Sequence, residues 1–440
     1  MPHLLFTVLH RLIGNRLYAT LSHHGVLAWL AGTLLANPIV AQSNGPVAQH
    51  SPATIAGHQA DRAASRPDTS ADIWDVYYGF INRRGHRPTE RARPGFQPSI
   101  FPELAYSLQT GFAVGANANL SFTSADPQQT VSTIVTTPQY TQLGQIIIPV
   151  VANLWTAGNR YNIVTDWRYY RYSAANYGLG SYAPAGADDQ LRYTYLRLYQ
   201  SVLRRVAPNW SVGLGYALDY HGNIRENNRT PDLNDDFRRY STADHTVSSG
   251  PTLSVEYITR RNPNNPEGGF YGNVLFRANE RLLGSTTNWQ ALITDVRKYV
   301  PFPRGSRNVL AFWNVNWLTF GGQAPYLDLP STGWDTYSNL GRGYVQGRFR
   351  GRNLIYAETE YRMPLLRNGL IGCVVFANVQ AYHNAGIRAS GGQGFGRLLP
   401  GVGAGLRGKV NKRSNLNFAL DYGFGIGGSR GLFLNLGEVF

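Results

Sequence analysis

The 440-residue sequence contains one cysteine, Cys373, and three lysines, Lys298, Lys409 and Lys412. A single cysteine excludes a disulfide framework and a cysteine-built metal site within the chain. Its setting in the apolar run Gly-Cys-Val-Val-Phe fits a small buried or lipid-facing hydrophobe. Charged residues are scarce at 15%, against about 25% in ordinary globular proteins. With lysine so rare, the formal charge of +15 comes almost wholly from arginine. Those arginines are scattered through alternating segments and glycine-rich loops, with no basic helix and no nucleic-acid-binding module, so a nucleic-acid partner is not expected. Metal-ligand spacing and cofactor motifs are also missing, and neither a metal nor a cofactor is expected. Past the N-terminal region, no run approaches the roughly 18 consecutive apolar residues of a membrane helix.

What is abundant is aromatic residues, at 12%, and glycine, at 48 positions, a composition suited to strands and turns rather than helices. The one long apolar run, "GVLAWLAGTLLANPIVAQ" from Gly25 to Gln42, follows Arg11 and Arg16 and ends in small residues. It reads as a secretory signal over residues 1–41, cut near Ala41, with an uncleaved anchor as the alternative. Residues 42–98 read as a flexible leader. Within it, Ile73, Val76, Tyr77 and Phe80 share one face of a short amphipathic helix.

From Ser99 to Phe440 the pattern changes to segments of period-two alternation. In "NVLAFWNVNWLTF", Val309, Ala311, Trp313, Val315 and Trp317 oppose Asn314 and Asn316. In "YNIVTDWRYYRY", Tyr161, Ile163, Trp167 and Tyr169 oppose Asp166 and Arg168. In "SNLNFALDYGFG", Leu416, Phe418, Leu420, Tyr422 and Phe424 oppose Asn417 and Asp421. Apolar faces ending in aromatics and polar faces carrying opposite charges are the marks of a membrane barrel with a wet interior. Connections also fall into a short set (157–160, 207–211, 262–269, 301–307, 367–369, 411–414) and a long set (124–141, 173–191, 223–245, 323–352, 385–398). The expected fold is therefore all-β, a transmembrane antiparallel barrel of about 16 strands, the missing strand preceding or splitting "SIFPELAYSLQTG". The chain is expected in the bacterial outer membrane, against outer-membrane lipid and lipopolysaccharide. The last segment, "LFLNLGEVF", puts Leu432, Leu434, Leu436 and Phe440 close to one face and stops on an aromatic, the form of a C-terminal insertion signal.

A hydrolase would need a Ser or Thr nucleophile with a histidine base on one rim. The barrel region offers only His221, His245 and His383, each in or near a loop and none in a triad pattern. Catalysis is not expected.

The stretch "GRGYVQGRFRGRN" (Gly341–Asn353) and the segments after it, "NLIYAETEYRMPL", "GLIGCVVFANVQA", "GVGAGLRGKV" and "NLGEVF", resemble the barrel of the BamA/TamA bacterial surface antigen superfamily. The likeness is to the short, Bacteroidetes-type members without periplasmic domains. The resemblance implies that an extracellular loop folds into the barrel and that Arg342, flanked by Gly341, Gly343 and Tyr344, locks to the wall. Alternation places Tyr356, Glu358, Glu360 and Arg362 on one face, which makes Glu358 and Glu360 candidate partners. Asn378 stands where the family often has an aspartate, and is a third candidate partner. Arg348, Arg350 and Arg352 are expected on a solvated or lipopolysaccharide-facing loop surface. The resemblance further implies a role in assembling or translocating outer-membrane proteins through a weak seam between the first strand, interrupted by Pro102, and the last. Its partners would be unfolded outer-membrane proteins or a larger assembly complex. The competing reading is a passive pore or ligand-binding barrel, with Asp166, Arg168, Asp295, Arg297, Arg407 and Asp421 setting selectivity.

Overall fold

A computed structural model describes residues 70–73, 75–76 and 95–440, apart from 108–109, 125, 127–128, 184–188, 228–235, 241–242, 336–338, 385–394 and 413–414. The expected signal segment, most of the expected leader, and Tyr77 and Phe80 of the expected amphipathic helix lie outside the described residues.

Seventeen strand segments form one antiparallel sheet. In chain order they are β1 (Gly95–Ser107), β2 (Gly111–Thr123), β3 (Ser132–Thr136), β4 (Gln139–Thr141), β5 (Ile146–Trp155), β6 (Tyr161–Asn176), β7 (Asp189–Ala207), β8 (Trp210–Asn227) and β9 (Thr246–Ile258). They continue as β10 (Gly269–Asn279), β11 (Trp289–Pro301), β12 (Val309–Phe320), β13 (Asn353–Pro364), β14 (Ile371–His383), β15 (Leu399–Asn411), β16 (Leu416–Gly425) and β17 (Arg430–Leu436). Both β3 and β4 sit between β2 and β5 and act as one stave, broken where Pro138 cannot donate to the ladder. The described staves thus number 16, each paired with its neighbour in sequence. The stretch 124–141, expected as a long loop, instead holds β3 and β4, and the strand part of "SIFPELAYSLQTG" lies in β1, with only its final Gly111 opening β2.

Charge faces inward and apolar surface faces outward, the reverse of a soluble domain. On β6, Asp166 and Arg168 are buried while Trp167 and Tyr169 are 45% and 44% exposed. On β16, Asp421 is buried while Tyr422 and Phe424 are exposed, and on β17 Leu432, Leu434 and Leu436 are exposed. Such an outer face is stable only against lipid. β12 departs from the expected orientation. Val309, Ala311, Trp313 and Val315 point into the barrel, whereas Phe312, Leu318 and Phe320 face outward with Asn314 and Asn316. Asn314 satisfies its amide on the Tyr356 carbonyl at 2.8 Å and Asn316 on the Thr294 hydroxyl at 3.0 Å. The physical reason for the inversion is that the lumen is filled: the inward apolar face of β12 packs on Leu340, Tyr344 and Phe349 of the loop between β12 and β13.

A second inward cluster gathers Tyr172, Tyr193, Tyr195 and Trp289 around Tyr326, Leu327 and Leu329 of the same loop. A short helix, α1 (Asp236–Tyr240), covers it, with Phe237 edge-on to Tyr326 at 5.2 Å. At the rim of short turns, the N-terminal segment is tied down. Lys412 donates to Asp75 at 3.0 Å, and the Ala71 amide donates to the Asn368 carbonyl at 3.0 Å.

Candidate functional site

The β12–β13 loop leaves the sheet at Phe320, enters the lumen and returns at Asn353. A backbone far from strand partners needs other donors for its carbonyls, and the loop's own arginines supply them. Arg350 Nη1 donates to the carbonyls of Tyr326 (3.0 Å), Leu329 (3.3 Å) and Leu327 (3.4 Å). Arg352 donates to Thr319 O (3.2 Å) and Gly322 O (3.1 Å), and Arg348 to Ala183 O (2.9 Å) while stacking over Tyr177 and Phe349. These three residues therefore staple the loop to itself and to the wall, and the expected solvated surface is not what they form.

The tip is the Gly341–Tyr344 stretch. Gly341 and Gly343 have φ of +82° and +105°, a region that side chains rarely adopt. A Cβ on Gly343 would also lie 2.8 Å from the Phe424 carbonyl, so the tip sits directly against β16. Tyr344 anchors it, donating its hydroxyl to Pro400 O at 2.5 Å and accepting from the Ile426 amide at 3.1 Å.

Arg342 is fully buried and meets three carboxylates. Nη2 donates to Glu358 and Glu360 on β13, and Nη1 to Asp421 on β16 at 2.5 Å. Its guanidinium lies 3.7 Å above the Phe376 ring. Burial works against the charge of Arg342, but Glu358, Glu360 and Asp421 outweigh it, so the side chain is held more firmly protonated than a free arginine. Asn378 also comes to the tip, but its amide donates to the Arg342 backbone carbonyl at 2.9 Å rather than meeting the guanidinium. Asp421 is the partner that strand alternation around Glu358 could not supply. Its inward position was readable, yet its meeting with Arg342 depends on the loop folding back onto the wall between β13 and β16.

The network extends to the chain end. Arg407 bridges Asp421 (2.5 Å) and Glu438 (2.7 Å), and Arg362 donates to Glu360 (2.8 Å) and to the Phe440 carbonyl oxygen (2.8 Å). Burial alone would raise the Glu438 carboxyl; Arg407 and Arg362 more than reverse it and hold it below the usual range. Gly437, at φ +95°, turns the chain out of β17. Phe440 therefore does not share the outward face of Leu432, Leu434 and Leu436. Its ring is buried in the lumen against Trp313 (5.2 Å between centroids) and Tyr299 (6.3 Å), and Asn339 of the loop donates to Val439 O at 2.8 Å.

Other charges on the inner wall are also paired: Arg168 with Asp166 (2.6 Å), Arg297 with Asp295 (2.6 Å) and Arg277 with Asp219 (2.5 Å). Of the histidines, His221 lies within β8 rather than a loop, buried and stacked on Tyr195 at 4.5 Å. His383 stacks on Phe395, and His245 is at the surface beside Asp244. No group of three or more metal-ligating side chains occurs among the described residues.

At the two ends of the sheet, β1 pairs with β2 and β17 with β16, and among the described residues no hydrogen-bond ladder joins β1 to β17. β17 has 7 residues against 13 in β1. Besides Pro102, β1 carries Pro98. Prolines are tolerated at a sheet edge because the missing donor there has no partner to lose.

No family model matches the chain, and no curated protein matches it. Among solved structures, it is similar to BamA from Haemophilus ducreyi lacking POTRA domains 1–3, at 14% identity and a TM-score of 0.52, over 78% of this chain and 69% of that one. It is also similar to CdiB from Escherichia coli, at 9% identity and a TM-score of 0.54, over 79% of this chain and 63% of that one. The chain thus has the fold of a bacterial outer-membrane barrel of the BamA and CdiB kind.

Proposed function

We propose that this chain assists the assembly or translocation of other outer-membrane proteins, offering the β1–β17 seam as a template for an incoming strand. The observation that carries the reading is the seam itself. In a sheet whose other neighbouring staves are laddered, the first and last strands are edges with no ladder between them among the described residues. An unpaired edge presents free amides and carbonyls, and pairing with an added strand is the ordinary way to satisfy them. The inward loop supports this over a passive pore, because the lumen is occupied and the wall charges are paired with one another.

The Arg342 cluster acts in this reading as a lock. It fixes the loop to β13 and β16, so that β16 is a held ladder on which the edge strand β17 sits. The test bridges the seam. In a Cys373→Ser background, Ile100→Cys on β1 and Leu434→Cys on β17 are joined with a bis-maleimide, and insertion of an unfolded outer-membrane barrel into vesicles is timed. Unbridged protein should accelerate insertion and bridged protein should not. Equal acceleration by both, or none by the unbridged form, contradicts the proposal.

A further inference from the structure

Arginines of the inner wall pair with carboxylates, as Arg168, Arg277 and Arg297 do, but on the outer wall three arginines that are not paired stand together. Arg171 on β6, Arg192 on β7 and Arg225 on β8 all point outward at the long-loop end of their strands. Register places Arg192 directly opposite Arg225, and Arg171 opposite Thr194, diagonal to Arg192. Among the described residues none of the three guanidiniums has a carboxylate or hydrogen-bond partner. Like charges directly opposed across a ladder are destabilising unless something neutralises them.

The arrangement is built by a local irregularity. Tyr216 and Tyr220 set the outward face of β8, and simple alternation would send Arg225 into the lumen. A register shift between Arg192 and Thr194, with Asn223 at φ +54°, adds a residue to β8 and turns Arg225 outward. A bulge re-aims a side chain in this way. The three arginines border a recess of about 610 Å³ that also touches Leu143, Tyr169 and Asn223. Nearer the middle of the same strands, the outward face is apolar and aromatic, with Trp167, Tyr169, Leu198 and Tyr220 exposed.

We infer that Arg171, Arg192 and Arg225 bind the phosphate groups of a phosphorylated glycolipid in the leaflet that meets the long-loop rim. Its acyl chains lie along Trp167, Tyr169, Leu198 and Tyr220. A guanidinium is a planar fork that matches phosphate oxygens, and the negative charge of the phosphates supplies the neutralisation that the opposed pair needs. The position directly above an apolar band favours a lipid head group over a soluble anion. The inference rests on the reading of the barrel as membrane-spanning, but not on its role in assembly.

The test uses the full chain in detergent, titrated with bisphosphorylated lipid A, with the same lipid stripped of its phosphates, and with inorganic phosphate. Wild type should bind the phosphorylated lipid at least about tenfold more tightly than the stripped one, a factor corresponding to 1.4 kcal/mol. R171Q/R192Q/R225Q should lose that preference. R160Q/R204Q, which removes two exposed arginines at the opposite ends of β6 and β7, should keep it. Heat-dependent gel mobility checks that each variant is a folded barrel, and R192Q alone, which removes only the opposed pair, should give an intermediate loss. Equal binding of the two lipids by wild type, an unchanged triple variant, or full competition by equimolar inorganic phosphate overturns the inference. Failure of wild type itself to show a heat-modifiable band overturns the membrane-barrel reading instead.

Discussion

Arg342 and Asp421 are 79 positions apart in sequence and meet at 2.5 Å inside the barrel. Asp421 lies on β16 opposite Phe433 of β17, so the loop tip is fixed to the strand next to the one that borders the seam. The same carboxylate accepts from Arg407, which holds Glu438 beyond the end of β17. One chain of ion pairs thus runs from the loop tip to the C-terminal tail. Buried ion pairs contribute little net stability when complete, but loss of one partner strands the others in low dielectric. That asymmetry makes the cluster a device for holding a geometry rather than a source of stability.

Gly343→Ala should loosen the tip without touching any charge. The added Cβ meets the Phe424 carbonyl at 2.8 Å and the backbone stays at φ +105°, so the expected cost is about 1–3 kcal/mol. Urea titration in detergent would register it as a lower midpoint. Gly427→Ala, at φ +66° but with nothing within 4 Å of its Cβ, separates backbone strain from collision. It should cost less.

Phe440→Ala removes a ring packed on Trp313 and Tyr299 and lying 5.2 Å from the Arg362 guanidinium. Large-to-small changes at such sites cost about 3–5 kcal/mol. The prediction is a drop in the unfolding midpoint together with quenching changes at Trp313, since the stacked partner is lost. Leu434→Ala, on the lipid-facing side of the same terminal stretch, should leave the Trp313 environment unchanged.

Asp328 predicts a pH dependence. Burial pushes its carboxyl up to about 7, Asp219 adds to the rise, and Arg277 and the Ser248 hydrogen bond oppose it. His221 lies 3.6 Å away, on the same side of the loop. An unfolded aspartate titrates near about 3.9, so the folded state binds a proton that the unfolded state has released. Stability from this group is full below about pH 4 and declines as pH rises through about 7. Wild type should therefore unfold at lower urea at pH 8 than at pH 5, and Asp328→Asn should flatten the difference. An unchanged slope in the variant would remove Asp328 as the cause.

The barrel was legible because period-two alternation survives in nearly every strand. The placement of Glu358 and Glu360 on one inward face followed from the same rule. Two features were not legible, for different reasons. On β12, Trp313 and Phe312 alternate as two apolar faces, and only the filled lumen decides that Trp313 points inward. On the C-terminal stretch, a turn at Gly437 reverses the direction of the last three residues, which strict alternation cannot anticipate. Asp421 was recognisable as inward-facing, but its pairing with Arg342 depends on a loop folded into the lumen, a contact that no local pattern encodes.

The central claim is that the inward loop is locked by Arg342, and it is tested most directly by planar-bilayer conductance of wild type beside Arg342→Ala, Arg342→Lys and Asp421→Asn. Removal of Arg342 leaves Glu358, Glu360 and Asp421 facing one another, a loss of about 3–5 kcal/mol. Lysine cannot restore the two-nitrogen geometry, whereas Asp421→Asn keeps the contacts to Glu358 and Glu360. The account predicts a nearly silent wild type, flickering openings in Arg342→Ala and Arg342→Lys, and an intermediate Asp421→Asn. The same large, steady pore in all four proteins would contradict it.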